Sequence, residues 1–229
     1  LAEAEAAQEV IDAAQVEPRG VVKLTCPIAL LHTHVGGMLA DFMIKYPRVV
    51  IQLEATNRRV DVLGEAVDVA IRVRPPPLED SELVMRVLSD RGQSLVASPA
   101  LTALCGQPAT PDDLGAWPSL ALGSPNQTYR LELYKQDGQQ ATVSLAPRMI
   151  TTDMIALRNA AVAGVGVVQL PTMMVREQLQ AGQLVRLLPD WAPRRELIHA
   201  VFTSRRGLLS SVRALVDYLA ERFGKLQED

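Results

Sequence analysis

A chain of 229 residues that is 48% hydrophobic and 21% charged has ordinary globular composition, with length for one large or two small cores. A formal net charge of −3 excludes a broad electrostatic hold on nucleic acid by this chain alone, and 4% aromatic content disfavours a base-stacking or carbohydrate-binding surface. Two cysteines, Cys26 and Cys105, cannot build a disulfide framework, and no run of about 18 apolar residues exists to cross a membrane.

Cysteine usage points to a reducing compartment, so a cytoplasmic location is expected, and no signal peptide opens the chain. The first residue is Leu1, inside an Ala/Glu/Gln-rich run without an N-cap before it. This suggests a fragment cut within or beside a helix. Leu1 to Val16 has strong helix propensity and a smooth alanine face, which suits either a helix pair or a solvated terminal helix. Pro18 and Gly20 end it.

Gly20 to Thr25 reads as a largely buried strand, and Cys26-Pro27 as the corner into a helix from Ile28 to Tyr46. Proline cannot donate a ladder hydrogen bond, and its ring suits the first turn of a helix. The helix therefore aims free N–H groups beyond the strand's carboxyl end, which makes that corner a candidate small-ligand site. Arg48 to Glu54 is expected as a strand, and Asn57 to Glu65 as a short helix with Val60 and Leu63 facing inward. Val67 to Val73 is a strand stopped by Pro75-Pro76-Pro77, and Leu83 to Leu88 and Gln93 to Ala97 are two more. Strand and helix alternate, which predicts a mainly parallel sheet.

A second unit is expected from about Ser94. Ser98-Pro99 and Thr110-Pro111-Asp112-Asp113 both look like capped helix starts. Strands are expected at Ser119 to Leu122, Tyr129 to Tyr134, Ala141 to Leu145 and Pro147 to Ile150, with a hairpin turn at Gln136-Asp137-Gly138. Helix Met154 to Ala163, strand Val165 to Leu170, helix Pro171 to Ala181 and strand Leu184 to Leu188 follow. Glu196 to Thr203 reads as a strand returning to the first unit. An amphipathic helix from Leu208 to Phe223 closes the chain, with Val212, Leu215, Val216 and Leu219 on its apolar face. Two crossings between two units imply a cleft and a hinge.

Motifs are few. His32 and His34, two apart on a helix, lie about 200° apart, so no metal site is expected, and all three histidines read as surface or partly packed. Gly164-Val165-Gly166 lies between a helix and a strand, the reverse of a nucleotide fingerprint; Gly164 suits a helix end, and Gly166 permits close packing. No catalytic set assembles, so an enzyme is not expected, nor is a cofactor. The basic pairs Arg58-Arg59, Arg194-Arg195 and Arg205-Arg206 read as solvated. Cys26 has two readings: a thiol activated by the helix N-terminus, or an inert apolar filler, the favoured one.

These elements, read with their residues, resemble the effector-binding domain of LysR-type transcriptional regulators. The resemblance rests on Tyr46-Pro47, Val67-Asp68-Val69-Ala70-Ile71-Arg72, Leu95-Val96-Ala97-Ser98-Pro99, Ala161 to Gly166 before Leu170-Pro171, Gly182-Gln183-Leu184-Val185, Leu188-Pro189-Asp190-Trp191 and Tyr218-Leu219. It implies an α/β fold of two Rossmann-like lobes with a hinge, like type II periplasmic binding proteins. Residues 1–17 would end a linker helix, 20–94 with 200–229 would form lobe I, and 95–199 lobe II. A winged helix-turn-helix would lie upstream, and DNA would be bound only through it. The resemblance also implies homodimers or tetramers, no membrane partner, and a small-molecule effector between the lobes. Carried over, the contacts are Cys26, Pro27, Ile28, Thr56, Asn57, Thr151, Thr152 and Asp153, with Arg72 and Ser124 as weaker candidates. The rival readings are a solute-binding protein for uptake and a thiol-based redox-sensing regulator acting through Cys26.

Overall fold

The computed structural model describes residues 17–78, 83–203 and 209–226. The expected helix Leu1 to Val16, the pair Arg205-Arg206 and the start at Leu208 lie outside them. The described residues divide into two compact units: those up to Ser89 together with those from Leu197 onward, and Asp90–Glu196.

In the first unit β1 (Gly20–Cys26) pairs in parallel with β2 (Val49–Ala55) and β3 (Val69–Arg74). β12 (Glu196–Phe202) pairs antiparallel with β3, and β4 (Val84–Arg91) lies beyond it, giving the order β2-β1-β3-β12-β4. Period-2 alternation sorts the side chains. Val22, Leu24 and Cys26 on β1 share a buried face with Val69 and Ile71 on β3. Helix α1 follows the Pro27 corner as Ile28–Leu30, continues through a π-helical turn at Leu31–Val35 and ends as Gly36–Lys45. It packs with the last helix, α5 (Ser210–Gly224), against β1 and β2. Phe42 is the hub: it is fully buried and packs at a tilt against Tyr218, ring centroids 5.4 Å apart. The expected apolar stripe of α5 is buried at Val212, Leu215, Val216, Leu219 and Phe223.

The expected helix from Asn57 to Glu65 is absent; the segment is bends and turns. Val60 and Val62 are buried while Leu63 is exposed, so the inward pair differs from the helical spacing. Val62 packs on Ala70 and Val201, covering the sheet face opposite α1. Side chains lock the turn: Arg58 forks onto Glu65 at 2.6 and 2.7 Å, and Glu65 also accepts from the Asp61 N–H. These local bonds compete with helix formation.

In the second unit β5 (Gln93–Ala97) is central, with β10 (Val168–Pro171) and β11 (Val185–Arg186) antiparallel on either side. Its alternation feeds two cores: Leu95 and Ala97 join Leu114, Trp117 and Leu131, while Val96 joins Leu120, Leu157 and Leu170. β6 (Ser119–Leu122) and β9 (Pro147–Thr151) run parallel, and β7 (Tyr129–Tyr134) forms a hairpin with β8 (Gln140–Leu145). The helices are α2 (Pro99–Cys105), α3 (Met154–Val162) and α4 (Thr172–Gln180), with a 3-10 turn at Pro111–Ala116. Asp113 accepts the N–H groups of Ala109 and Thr110, each at 2.8 Å, so the capped start expected there makes one short turn. Gly164 stands at φ 83°; its N–H donates to Ala161 and that of Val165 to Ala160, a complete Schellman end to α3. That turn delays the following strand, expected from Val165, to Val168. The strand expected over Leu184 to Leu188 shortens to β11 because Leu188 turns left-handed at φ 49°.

Candidate functional site

The corner after β1 is built from both flanking strands. The ladder between β1 and β2 ends at Cys26 and Ala55, and the Thr56 N–H still donates to the Cys26 carbonyl at 2.9 Å. This fixes the loop after β2 beside the start of α1. Pro27 supplies no side-chain cap, and Asn57 takes over: its Oδ1 accepts the Ile28 N–H at 3.1 Å. A loop residue 29 positions away thus caps α1. The Thr56 hydroxyl accepts from the Arg58 N–H at 3.3 Å, and its own proton has no acceptor among the described residues. The corner therefore offers a hydroxyl donor beside a helix N-terminus, an arrangement suited to a carboxylate or carbonyl oxygen.

Cys26 does not point at that corner. It is fully buried on the α1 face, and its thiol donates to the Pro27 carbonyl at 3.6 Å. Burial pushes its pKa up to about 12, so it is a neutral thiol at physiological pH. The filler reading fits this environment and an activated thiol does not. Any contact Cys26 makes with a ligand runs through its backbone.

The second unit carries its own set at the carboxyl ends of parallel β6 and β9. Leu122 pairs with Thr151, and the Gly123 N–H donates to the Thr151 carbonyl at 3.0 Å, which places Ser124 beside Thr151, Thr152 and Asp153. Asp153 is the N-cap of α3: its carboxylate accepts from Ile155 at 2.8 Å and Ala156 at 3.1 Å. Its N–H donates to the Thr151 hydroxyl at 3.1 Å. The Ser124 carbonyl accepts the Tyr129 hydroxyl. Asp153 thus holds the frame, while the Thr151 and Thr152 hydroxyls stand at the rim.

Arg72 is drawn into a different cluster. Arg72 and Arg74 are two apart on β3 and so share a face; His199 on β12 pairs directly with Arg72. With Arg59 they line a pocket of about 290 Å³ whose other walls are Pro75, Pro77, Leu78, Met85 and Val201. None of Cys26, Pro27, Ile28, Thr56 or Asn57 lines it. His199 is 3% exposed, more buried than the surface or partly packed position expected of the histidines. Burial lowers its pKa, and the charges of Arg72 and Arg74 lower it further, against a hydrogen bond to the Leu197 carbonyl. Arg59 and Arg74 line this pocket although a lone basic pair and a strand-end arginine both read as solvated in the sequence. The i, i+2 spacing of Arg72 and Arg74 was the available signal.

Two α/β units, each with helix N-termini beside strand ends, have the fold of the type II periplasmic-binding-protein class. Residues 15–224 match the family model described as the LysR substrate binding domain, and the chain belongs to that family. An HTH-type transcriptional regulator of Xanthomonas campestris is 30% identical over 96% of this chain and 64% of its own length. The HTH-type transcriptional regulator PtxR of Pseudomonas aeruginosa is 30% identical over 92% of this chain and 67% of its own. The full-length structure of the Vibrio cholerae virulence activator AphB, a member of the LTTR protein family, superposes with a TM-score of 0.78 at 26% identity, covering 96% of this chain and 74% of that one. The chain thus spans about two thirds of the length of such relatives.

Proposed function

We propose that this chain is the effector-binding and oligomerisation part of a LysR-type transcription regulator that acts by binding rather than turnover. The observation that carries the reading is the family match across residues 15–224 together with relatives that are HTH-type regulators. The chain senses a small molecule through the Thr56 corner of the first unit and the Thr151-Thr152 rim of the second. It assembles as a homodimer or tetramer in the cytoplasm, and DNA is engaged by a helix-turn-helix region beyond this chain. Ligand shifts the population of its conformations, and that shift reaches DNA through the assembly.

The test uses the full gene product. A thermal-shift screen of small metabolites identifies an effector, and DNase footprints with and without it read the regulatory response. Thr56→Val and Thr152→Ala should each weaken effector affinity about tenfold, roughly 1.4 kcal/mol, with the melting temperature nearly unchanged. Unchanged affinity in both variants removes these rims from the reading, and a strict monomer at high concentration removes the assembly.

A further inference from the structure

Helix α1 breaks its own period between the corner at Pro27 and the packed body of the helix. Leu31–Val35 is π-helical: the Gly36 N–H reaches back to the Leu31 carbonyl, one residue further than the bond of a regular helix. The burial pattern needs that extra residue. Val35, Met38, Leu39 and Phe42 are buried at ordinary helical spacing, and Ala29 and Leu30 are buried before the turn. In a regular helix the side chains of Leu30 and Val35 would lie about 140° apart. The wider turn brings both onto the buried face.

Two residues write this turn into the sequence. The Thr33 hydroxyl donates to the Ala29 carbonyl at 3.0 Å and lies 3.4 Å from that of Leu30, so a side chain supports the ladder where the turn widens it. At Gly36 a Cβ would stand 3.0 Å from the Leu31 carbonyl oxygen, the acceptor of the π bond. Glycine leaves that bond undisturbed, and any larger residue presses on it. Turns of this kind inside α-helices occur frequently at functional sites. What this one controls is the start of α1, which lies just before it. There the Ile28 N–H meets Asn57 Oδ1 at 3.1 Å, and the Leu31 N–H donates to the Pro27 carbonyl at 2.9 Å. Losing the extra residue would rotate this first turn by about 100° against the rest of the helix. Either Leu30 would leave the buried face or the Ile28 N–H would leave Asn57.

We propose that the π-turn of α1 is the device that aims the ligand corner of the first unit, with Thr33 and Gly36 as its positioning residues. They act through Ile28: they fix the angle at which the start of α1 meets the loop of Thr56 and Asn57, and so the direction of the donors gathered there. The proposal rests on the reading of the Thr56 corner as a ligand contact. Packing alone would be served by an unbroken helix with its apolar residues in phase. The extra residue lets the packed face and the corner be satisfied together.

The test follows backbone amides by NMR in the isotope-labelled 229-residue chain, with sodium acetate as the carboxylate probe and sodium chloride as the salt control. Acetate, and not chloride, should shift the Ile28 and Thr56 amides saturably. Thr33→Val and Gly36→Ala should each weaken that response about threefold, and deletion of the exposed His32, which removes the extra residue, about tenfold. Thr33→Ser keeps the hydroxyl and should restore the wild-type response. Amide hydrogen exchange separates aim from packing: Ile28 should lose protection in Thr33→Val and in the deletion, while Phe42 keeps its own. An acetate response and Ile28 protection unchanged in both Thr33→Val and the deletion overturn the proposal. So does a response that falls only in step with Phe42 protection, since the turn then serves packing alone. A response lost in Thr56→Val but kept in the π-turn variants sinks the positioning role and leaves the corner reading standing. No response in the wild-type chain, or one that Thr56→Val does not change, sinks the corner reading and the positioning role with it.

Discussion

His199 shows how one residue couples burial to pH. It is 3% exposed on β12, directly opposite Arg72, and its pKa lies below the ordinary 6.5, first through desolvation and then through the neighbouring arginines. The unfolded chain therefore binds a proton that the folded chain refuses in the window below pH 6.5. Stability from this group is complete above that value and declines as pH falls through the window towards the lowered folded-state pKa. Urea denaturation at a series of pH values should show the midpoint dropping below about pH 6.5, and His199→Gln should flatten that part of the curve. An unaltered curve in the variant would assign the slope to other groups. The sequence gives no hint of this, because a histidine on a strand reads the same whether its opposite neighbour is arginine or solvent. Cys26 was more legible. Its alternation with Val22 and Leu24 already assigns it to the buried face, and the structure adds the strong upward push on its thiol.

At the scale of an element, the segment after β2 shows where pattern reading stops. Val60 and Leu63 stand at helical spacing, but the chain buries Val60 and Val62 and exposes Leu63. The decision lies in local side-chain bonds: Arg58 on Glu54 and Glu65, the Glu65 carboxylate on the Asp61 N–H, and Ala66 at φ 51°. None of these has a period. The same pairing with Arg58 holds the Glu65 carboxyl down at about 2, so its contribution exists above pH 4.5 and is lost as pH falls from there towards 2. Ala66 carries the strain of the left-handed region, about 1–2 kcal/mol for a residue with a Cβ. Glycine removes that strain and adds chain entropy to the unfolded state, a cost of roughly 0.5–1 kcal/mol. Ala66→Gly should therefore stabilise the first unit by about 0.5–1 kcal/mol in urea titrations. Destabilisation would mean that the turn is not held as described. The helix ends were plain in the sequence by contrast, since Gly164 and Gly182 both take the positive φ that their places after α3 and α4 demand.

At the scale of the molecule, the alternation of strands and helices was enough to read the two-unit α/β plan. The register details that decide each core were not, because they depend on backbone approaches between segments far apart in sequence. Gly166 is the clearest of these. A Cβ there would stand 2.8 Å from the Pro118 carbonyl and 3.0 Å from the Ser119 backbone, where the Val167 N–H donates to Pro118 and the Leu120 N–H to Val167. Those bonds stitch β6 to the strand leading into β10, between the two cores that flank β5. Gly166→Ala must push this backbone apart, and overpacking of this kind costs about 1–3 kcal/mol. The damage falls in the unit Asp90–Glu196, while the Phe42 core of the first unit is untouched. Both tryptophans, Trp117 and Trp191, belong to that second unit, so their fluorescence reports it alone, whereas far-ultraviolet circular dichroism reports both. In Gly166→Ala the fluorescence midpoint should move to lower urea by an amount matching that cost, and the dichroism should keep a later phase from the first unit. Coincident shifts of both probes would show instead that the two cores unfold as one.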